Sequence, residues 1–298
     1  MDFDTPKSEQ IVTDSNETFN LSYYDSFSSS GGDKKPIIFW IHGGFGGQYD
    51  GRYNGTTTKT NPTIKKLVEC NLYRVISYDR RNCGLSDYVN TRYYHVRDIA
   101  NDAYSLLKAL NINHVDVLIG TSMGGVVAQQ FALDYPYIFD RLIFLNTSPI
   151  MMTTPWGQNA DKLYSRIKNS GGEKTSFDLQ IPRQFFENNK NNDDTTDSLF
   201  ERWQGFVKNQ VAFLGMDYRP RLVHIKHPTL IVHGDADPVV PYEHGRELFN
   251  GLGSSKKIFH TVKGAKHGIW TTDECGIAVL EWIEQQGLSI ISGRGGKL

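Results

Sequence analysis

From residue 36 onward, short apolar runs alternate with longer stretches whose apolar residues recur at helical spacing. The runs Ile37–Ile41 (IIFWI), Arg74–Tyr78 (RVISY), 115–119 (VDVLI), 142–145 (LIFL) and 230–232 (LIV) are strand-sized and nearly continuous in apolar character. That is what strands covered on both faces require. A less apolar run follows at Lys257–Val262 (KIFHTV). Helical spacing covers residues 62–70, 96–110, 123–133, 243–250 and 274–285. Ahead of all these, residues 10–13 and 19–24 flank Asp14-Ser15-Asn16-Glu17, which predicts an antiparallel hairpin at one edge of the sheet. The alternation predicts an α/β fold, with a mostly parallel sheet and helices on both faces.

The alternation stops after Leu145 and resumes at Leu230. Residues 148–221 lean helical, carry aromatics (Trp156, Phe185, Phe186, Trp203, Phe213) and contain an Asn/Asp-rich loop at 187–197. An insertion between two core strands predicts a helical cap over the carboxyl edge of the sheet. The expected division is therefore residues 1–147 and 222–298 as core and 148–221 as cap.

Composition narrows the function classes. The chain has 298 residues, with 32 Lys and Arg against 33 Asp and Glu, enough for one large domain with an insertion. The balanced charge argues against nucleic acid as a partner, because phosphate binding needs a basic excess on one face. No apolar run approaches the roughly 20 residues of a membrane helix. The first ten residues are acidic and polar, unlike a secretory leader. Three cysteines (Cys70, Cys83, Cys275) show no paired spacing, which argues against a disulfide scaffold or zinc ribbon. These readings anticipate a soluble cytoplasmic protein with a small-molecule substrate and no cofactor or metal; they set no oligomeric state.

Candidate chemistry begins at Gly120-Thr121-Ser122-Met123-Gly124, a G-x-S-x-G pentapeptide. It directly follows the apolar run 115–119 and opens the helical stretch 123–133. The serine is thereby expected on a sharp strand-to-helix turn at the carboxyl edge of the sheet, where open α/β sheets bind ligands. Serine at its free pKa is a poor nucleophile and needs a base, which in turn needs a carboxylate to orient it. Gly234-Asp235-Ala236-Asp237-Pro238 follows the run 230–232, and Gly264-Ala265-Lys266-His267-Gly268 follows Lys257–Val262. An acid and a base therefore each stand just past a later strand. Strand position alone does not separate Asp235 from Asp237.

Five motifs in order make the chain resemble the α/β-hydrolase fold superfamily. They are His42-Gly43-Gly44-Phe45-Gly46-Gly47, Asp79-Arg80-Arg81-Asn82-Cys83-Gly84-Leu85-Ser86, the Ser122 pentapeptide, Gly234 to Pro241 read as G-x-x-D-x-x-x-P, and Gly264-x-x-His267. The resemblance implies an eight-stranded, mostly parallel sheet and a Ser122–His267–Asp237 triad. It further implies an oxyanion hole from the backbone N–H groups of Met123 and Gly44, with Phe45 the alternative to Gly44. The family usually has glycine where this chain has Asn82.

The resemblance implies a serine hydrolase acting on a small carboxylic ester. The aromatic insertion suggests an apolar acyl or alcohol part, with Phe45, Trp156, Trp203 and Trp270 as pocket candidates. Rival readings with the same triad are a proline iminopeptidase, a C–C bond hydrolase and a cofactor-free haloperoxidase or perhydrolase. A non-catalytic ligand receptor of the same fold is a further rival, though this chain keeps all three triad members. Among the other histidines, His42 and His233 at strand ends are expected to hold loops together. No second cluster completes a metal site around His233-Gly-Asp-Ala-Asp237.

Overall fold

The apolar runs pair into one eight-stranded sheet in the computed structural model, which describes residues 3–27, 35–44, 58, 61–89, 94–151, 208–209, 211–213 and 215–288. In chain order the elements are β1 (Lys7–Val12), β2 (Thr18–Asp25), β3 (Ile37–Ile41), α1 (Pro62–Glu69), β4 (Arg74–Tyr78) and α2 (Val96–Ala109). Then come β5 (Val115–Thr121), α3 (Met123–Asp134), β6 (Phe139–Leu145), β7 (Thr229–Gly234), α4 (Tyr242–Gly251), β8 (Lys257–Val262) and α5 (Asp273–Ile283). The sheet order is β1-β2-β4-β3-β5-β6-β7-β8. β1 and β2 form the expected edge hairpin, β2 runs antiparallel to β4, and every later pairing is parallel.

Alternation along each central strand explains why both faces are covered. In β3, Ile38 and Trp40 point into one core with Ile64 and Leu67 of α1 and Val279 and Trp282 of α5. Phe39 and Ile41 point into the other, with Ile99 and Leu106 of α2, Val127 and Phe131 of α3 and Leu248 of α4. With apolar demand on both faces, the strands are the continuous runs seen in the sequence. Among the described residues, no helix is long and apolar enough to cross a membrane.

The parallel register brings strand ends level along one edge. Ile41 pairs with Tyr78 on one side and Gly120 on the other, Thr121 with Leu145, Leu145 with Val232, and Gly234 with Val262. The segments after β3, β4, β5, β6, β7 and β8 therefore emerge side by side. After β6, Ile150 bridges Asp217 antiparallel, and Tyr218 N–H donates to the Pro149 carbonyl. Residues 149–150 and 217–218 are thus tied side by side; residues 152–207, on which most of the expected cap falls, lie outside the described residues.

The loop after β4 is pinned from below. Arg81, fully buried, pairs bidentately with Asp102 of α2 and reaches Glu17 in the hairpin turn at 3.2 Å. Asn82, in place of the family's glycine, takes φ +59°, a left-handed conformation that asparagine tolerates. Its side-chain N–H bonds reach the Val89 carbonyl and the Tyr94 hydroxyl.

Gly124 in the first turn of α3 is the tightest junction. A Cβ there would overlap the carbonyl oxygens of Ile41 and His42, both backbone atoms. Gly264, at φ +69°, has open space instead. Gly124→Ala is expected to cost about 3 kcal/mol or to abolish folding, whereas Gly264→Ala costs only about 1 kcal/mol of backbone strain. Urea unfolding of the two variants checks this; equal losses would contradict the packing assigned to α3.

Candidate active site

Ser122 caps α3 with φ +49° and ψ −120°. Six non-glycine residues among those described take positive φ: five are asparagines and the sixth is this serine. The strained turn is held on all sides. Ser122 N–H donates to the Leu145 carbonyl at 2.9 Å, and its own carbonyl accepts from Gly125 N–H at 2.9 Å and from the Thr147 hydroxyl at 2.7 Å. The side chain consequently stands clear of the helix at the carboxyl edge, as the pentapeptide implied.

His267, in the loop after β8, places Nε2 3.0 Å from Ser122 Oγ and Nδ1 2.8 Å from Asp237 Oδ2. Three residues that the sequence separates widely therefore meet in one hydrogen-bonded line. With Nδ1 donating to the carboxylate, Nε2 is left to accept from the serine hydroxyl.

The two aspartates after β7 part company in the structure. Asp235 is exposed and its Oδ1 accepts from Gly264 N–H at 2.6 Å, tying the β7 turn to the β8 turn. Asp237 is buried, and its Oδ1 accepts from Val239 and Val240 N–H at 2.8 and 2.9 Å. Its Oδ2, besides facing His267, accepts from Asn146 Nδ2 at 2.7 Å. Pro238 begins the turn that brings those two amides round onto the carboxylate.

Asn146 was not singled out by the sequence reading. Fully buried just past β6, at φ +44°, it donates from Nδ2 to Asp237 and to the Lys266 carbonyl at 3.2 Å. Its Oδ1 accepts from Gly234 N–H at 3.1 Å. One side chain thus links the β6, β7 and β8 loops. Its only sequence signal is a polar residue directly after an apolar strand.

The loop after β3 lies against the serine: a Cβ on Gly43 would stand 3.3 Å from Ser122 Cβ. His42 is neutral by geometry, with Nε2 accepting from Arg80 N–H at 3.0 Å and Nδ1 donating to the Gly43 carbonyl at 2.7 Å. Burial first, and then the Arg80 charge, hold its pKa well below the ordinary histidine value. His233, also buried, donates from Nε2 to the Val240 carbonyl at 3.0 Å, and burial lowers its pKa. Both histidines hold loops together, as expected. Met123, the first residue of α3, carries one of the first-turn amides with no intrahelical acceptor.

Trp270 is buried in the core behind His267, its ring edge-on to the imidazole at 5.5 Å between centroids. It supports His267 from the protein side. Phe45, Trp156 and Trp203 lie outside the described residues. Cys83 is buried, with a thiol pushed up to about 11 by burial, so it remains a thiol and accepts from Asn209 Nδ2 at 3.4 Å. Among the described residues, no group of His, Cys, Asp and Glu has the arrangement of a metal site.

Three comparisons bear on this geometry. Residues 50–274 match the family model described as serine aminopeptidase, S33. A 2-hydroxy-6-oxononadienedioate/2-hydroxy-6-oxononatrienedioate hydrolase of Escherichia coli is 31% identical over 212 residues, 66% of this chain and 71% of that protein. Among solved structures, a hydrolase from Pseudomonas aeruginosa superposes with a TM-score of 0.67 at 21% identity, over 93% of this chain and 98% of that one. A thermophilic esterase from Thermogutta terrifontis superposes with a TM-score of 0.66 at 19% identity, over 95% and 99%. At these identities the structural matches speak for the fold.

The buried histidines set a pH dependence of stability. His42 and His233 stay neutral in the fold but take up protons near their ordinary value of 6.5 once unfolded. Their contribution is fully present above that pH and is lost as pH falls through it. Each costs up to about 1.4 kcal/mol per pH unit below it. Urea unfolding between about pH 7.5 and pH 5.5 should show stability falling with pH; a flat or rising curve would contradict their burial as neutral groups.

Proposed function

The chain belongs to the serine aminopeptidase S33 family of the α/β-hydrolase superfamily, and on that footing we propose that it is a serine hydrolase of small, partly apolar carboxylic esters. The reading rests on one observation, the continuous line from Ser122 Oγ through His267 to Asp237 at 3.0 and 2.8 Å. His267 Nε2 takes the Ser122 proton as Oγ attacks the ester carbonyl carbon. The carbonyl oxygen gains the negative charge and is met by the Met123 and Gly44 N–H groups. When the C–O bond breaks, the leaving alkoxide takes the proton from His267. Water, deprotonated by the same Nε2, then cleaves the acyl-enzyme and restores the serine. Asp237 orients the imidazole and stabilises its cationic form in both halves.

An apolar acyl or alcohol group suits the aromatic residues of the 148–221 insertion, which we propose as a cap that sets specificity. A second reading, hydrolysis of a C–C bond next to a carbonyl, is favoured by the Escherichia coli relative. It would use the same three residues. The free cysteines Cys70, Cys83 and Cys275 suit a reducing cytoplasm.

Ser122→Ala should fold normally and lose nearly all hydrolysis of short-chain p-nitrophenyl esters, and a fluorophosphonate should label Ser122 alone. Full activity in that variant would sink the serine mechanism. A parallel panel of prolyl amides and β-diketone-like C–C substrates decides between ester and rival chemistries.

The choice of acid is tested separately. Asp237→Asn is expected to lower kcat by about 10²- to 10⁴-fold, because an amide can favour the wrong imidazole tautomer. Asp235→Asn should instead cost mainly stability, by loosening the tie to Gly264. The reverse ranking in two folded proteins would show the acid to be misassigned.

A further inference from the structure

The Gly43 carbonyl accepts two hydrogen bonds, one from His42 Nδ1 and one from Arg80 Nη2, each 2.7 Å long. Arg80 is fully buried. Among the described residues no carboxylate pairs with it: Nη1 reaches only Asn209 Oδ1 at 3.4 Å, Nε has no hydrogen-bond partner, and the guanidinium lies 5.7 Å from the centre of the Phe213 ring. A buried arginine is costly unless it is paired, and among the described residues its neighbour Arg81 has a carboxylate, Asp102, where Arg80 has none. Among the described residues, the shorter of the two side-chain hydrogen bonds of Arg80 goes to one backbone carbonyl beside the candidate nucleophile.

That carbonyl belongs to the peptide unit whose N–H is that of Gly44. The described peptide bonds are all trans. A trans peptide is planar, with its N–H pointing opposite to its C=O. Fixing the Gly43 oxygen toward Arg80 and His42 therefore turns the Gly44 N–H the other way. Gly43 itself rests against the serine, where a Cβ on it would stand 3.3 Å from Ser122 Cβ. The guanidinium hydrogen-bonded to the carbonyl oxygen also draws electron density through the conjugated unit and makes the N–H a stronger donor.

We propose that Arg80 is a positioning residue for the oxyanion hole, its buried charge orienting and polarising the Gly43–Gly44 peptide so that the Gly44 N–H stabilises negative charge formed at Ser122. This inference rests on the serine-hydrolase reading above. The effect belongs to the transition state, in which the substrate oxygen is anionic, and is nearly absent for the neutral bound ester. It therefore separates kcat from KM, whereas a loop anchor that merely shaped the pocket would alter KM or stability.

The test compares Arg80→Met, Arg80→Gln and Arg80→Lys with the wild type. The readouts are kcat and KM for p-nitrophenyl butyrate, and inhibition by a trifluoromethyl ketone, which forms an anionic adduct on serine. Circular dichroism and thermal unfolding report folding. Complete loss of an oxyanion donor costs roughly 10²- to 10³-fold in related chemistry, so weakening one should lower kcat by about 10- to 100-fold in Arg80→Met and Arg80→Gln. KM should stay within about twofold, and the ketone should lose affinity by the same factor as kcat. Arg80→Lys, which keeps the charge, should recover part of both losses. A folded Arg80→Met with wild-type kcat and ketone affinity overturns the proposal, as does a loss confined to KM. Should Arg80→Met fail to fold, the Lys and Gln variants decide, and equal activity of those two overturns it. If the wild type shows no Ser122-dependent turnover, the hydrolase reading falls and this inference with it; an active wild type with indifferent variants overturns this inference alone.

Discussion

Ser122 occupies a backbone conformation, φ +49° with ψ −120°, that costs an L-residue of order 1–3 kcal/mol, and much of the surrounding structure can be read as what that conformation demands. The turn must be clamped, which the Leu145 carbonyl, Gly125 N–H and Thr147 hydroxyl do. The helix that follows must start immediately and lie close to β3, so that a side chain at Gly124 would collide with two backbone carbonyls. That same closeness sets Gly43 against the serine. The parallel register then fixes what else can reach it, because the loops after β7 and β8 leave the sheet at the same level.

The surroundings of Asp237 and Asp235 differ in a way that strand position cannot reveal. Among the described residues, the Asp237 oxygens accept from two backbone amides, the Asn146 amide and His267. A buried carboxylate so supplied is tolerable, and it holds the imidazole in one orientation. Asp235 spends its carboxylate on a surface turn. Asn146 gives the arrangement rigidity: it joins Asp237, the residue before His267 and the end of β7 through one side chain. On the other side of the serine, the Gly43–Gly44 peptide is held by His42 and Arg80, so both flanks of Ser122 are braced by buried polar groups drawn from different strands.

Much of this was legible in the sequence. Strands buried on both faces must be continuously apolar, and helices between them must be periodic, so the βα alternation and the edge hairpin could be read directly. Boundaries moved where polar residues extend a strand, as at Phe139–Leu145, whose first half reads Phe139-Asp140-Arg141. The meeting of Ser122, Asp237 and His267 was legible because each stands at or just past the end of a strand, and parallel strands end level. Family spacing, and not strand position, selected Asp237. Asn146 and Arg80 were not legible. Each matters through hydrogen bonds to residues distant in sequence, and neither lies in a spacing that chemistry demands. Trp270 was readable as core or pocket wall, and the packing puts it in the core beside the imidazole.

The central claim is that Ser122, activated by His267, forms a covalent acyl intermediate. The direct measurement is to mix the protein with p-nitrophenyl acetate, quench with acid within the first turnover, weigh the intact chain and map the modified peptide. An acetyl group on Ser122, absent when His267 is replaced by alanine, is the expected result. Hydrolysis that proceeds with no adduct on Ser122, or with the acetyl group carried elsewhere, would contradict the account.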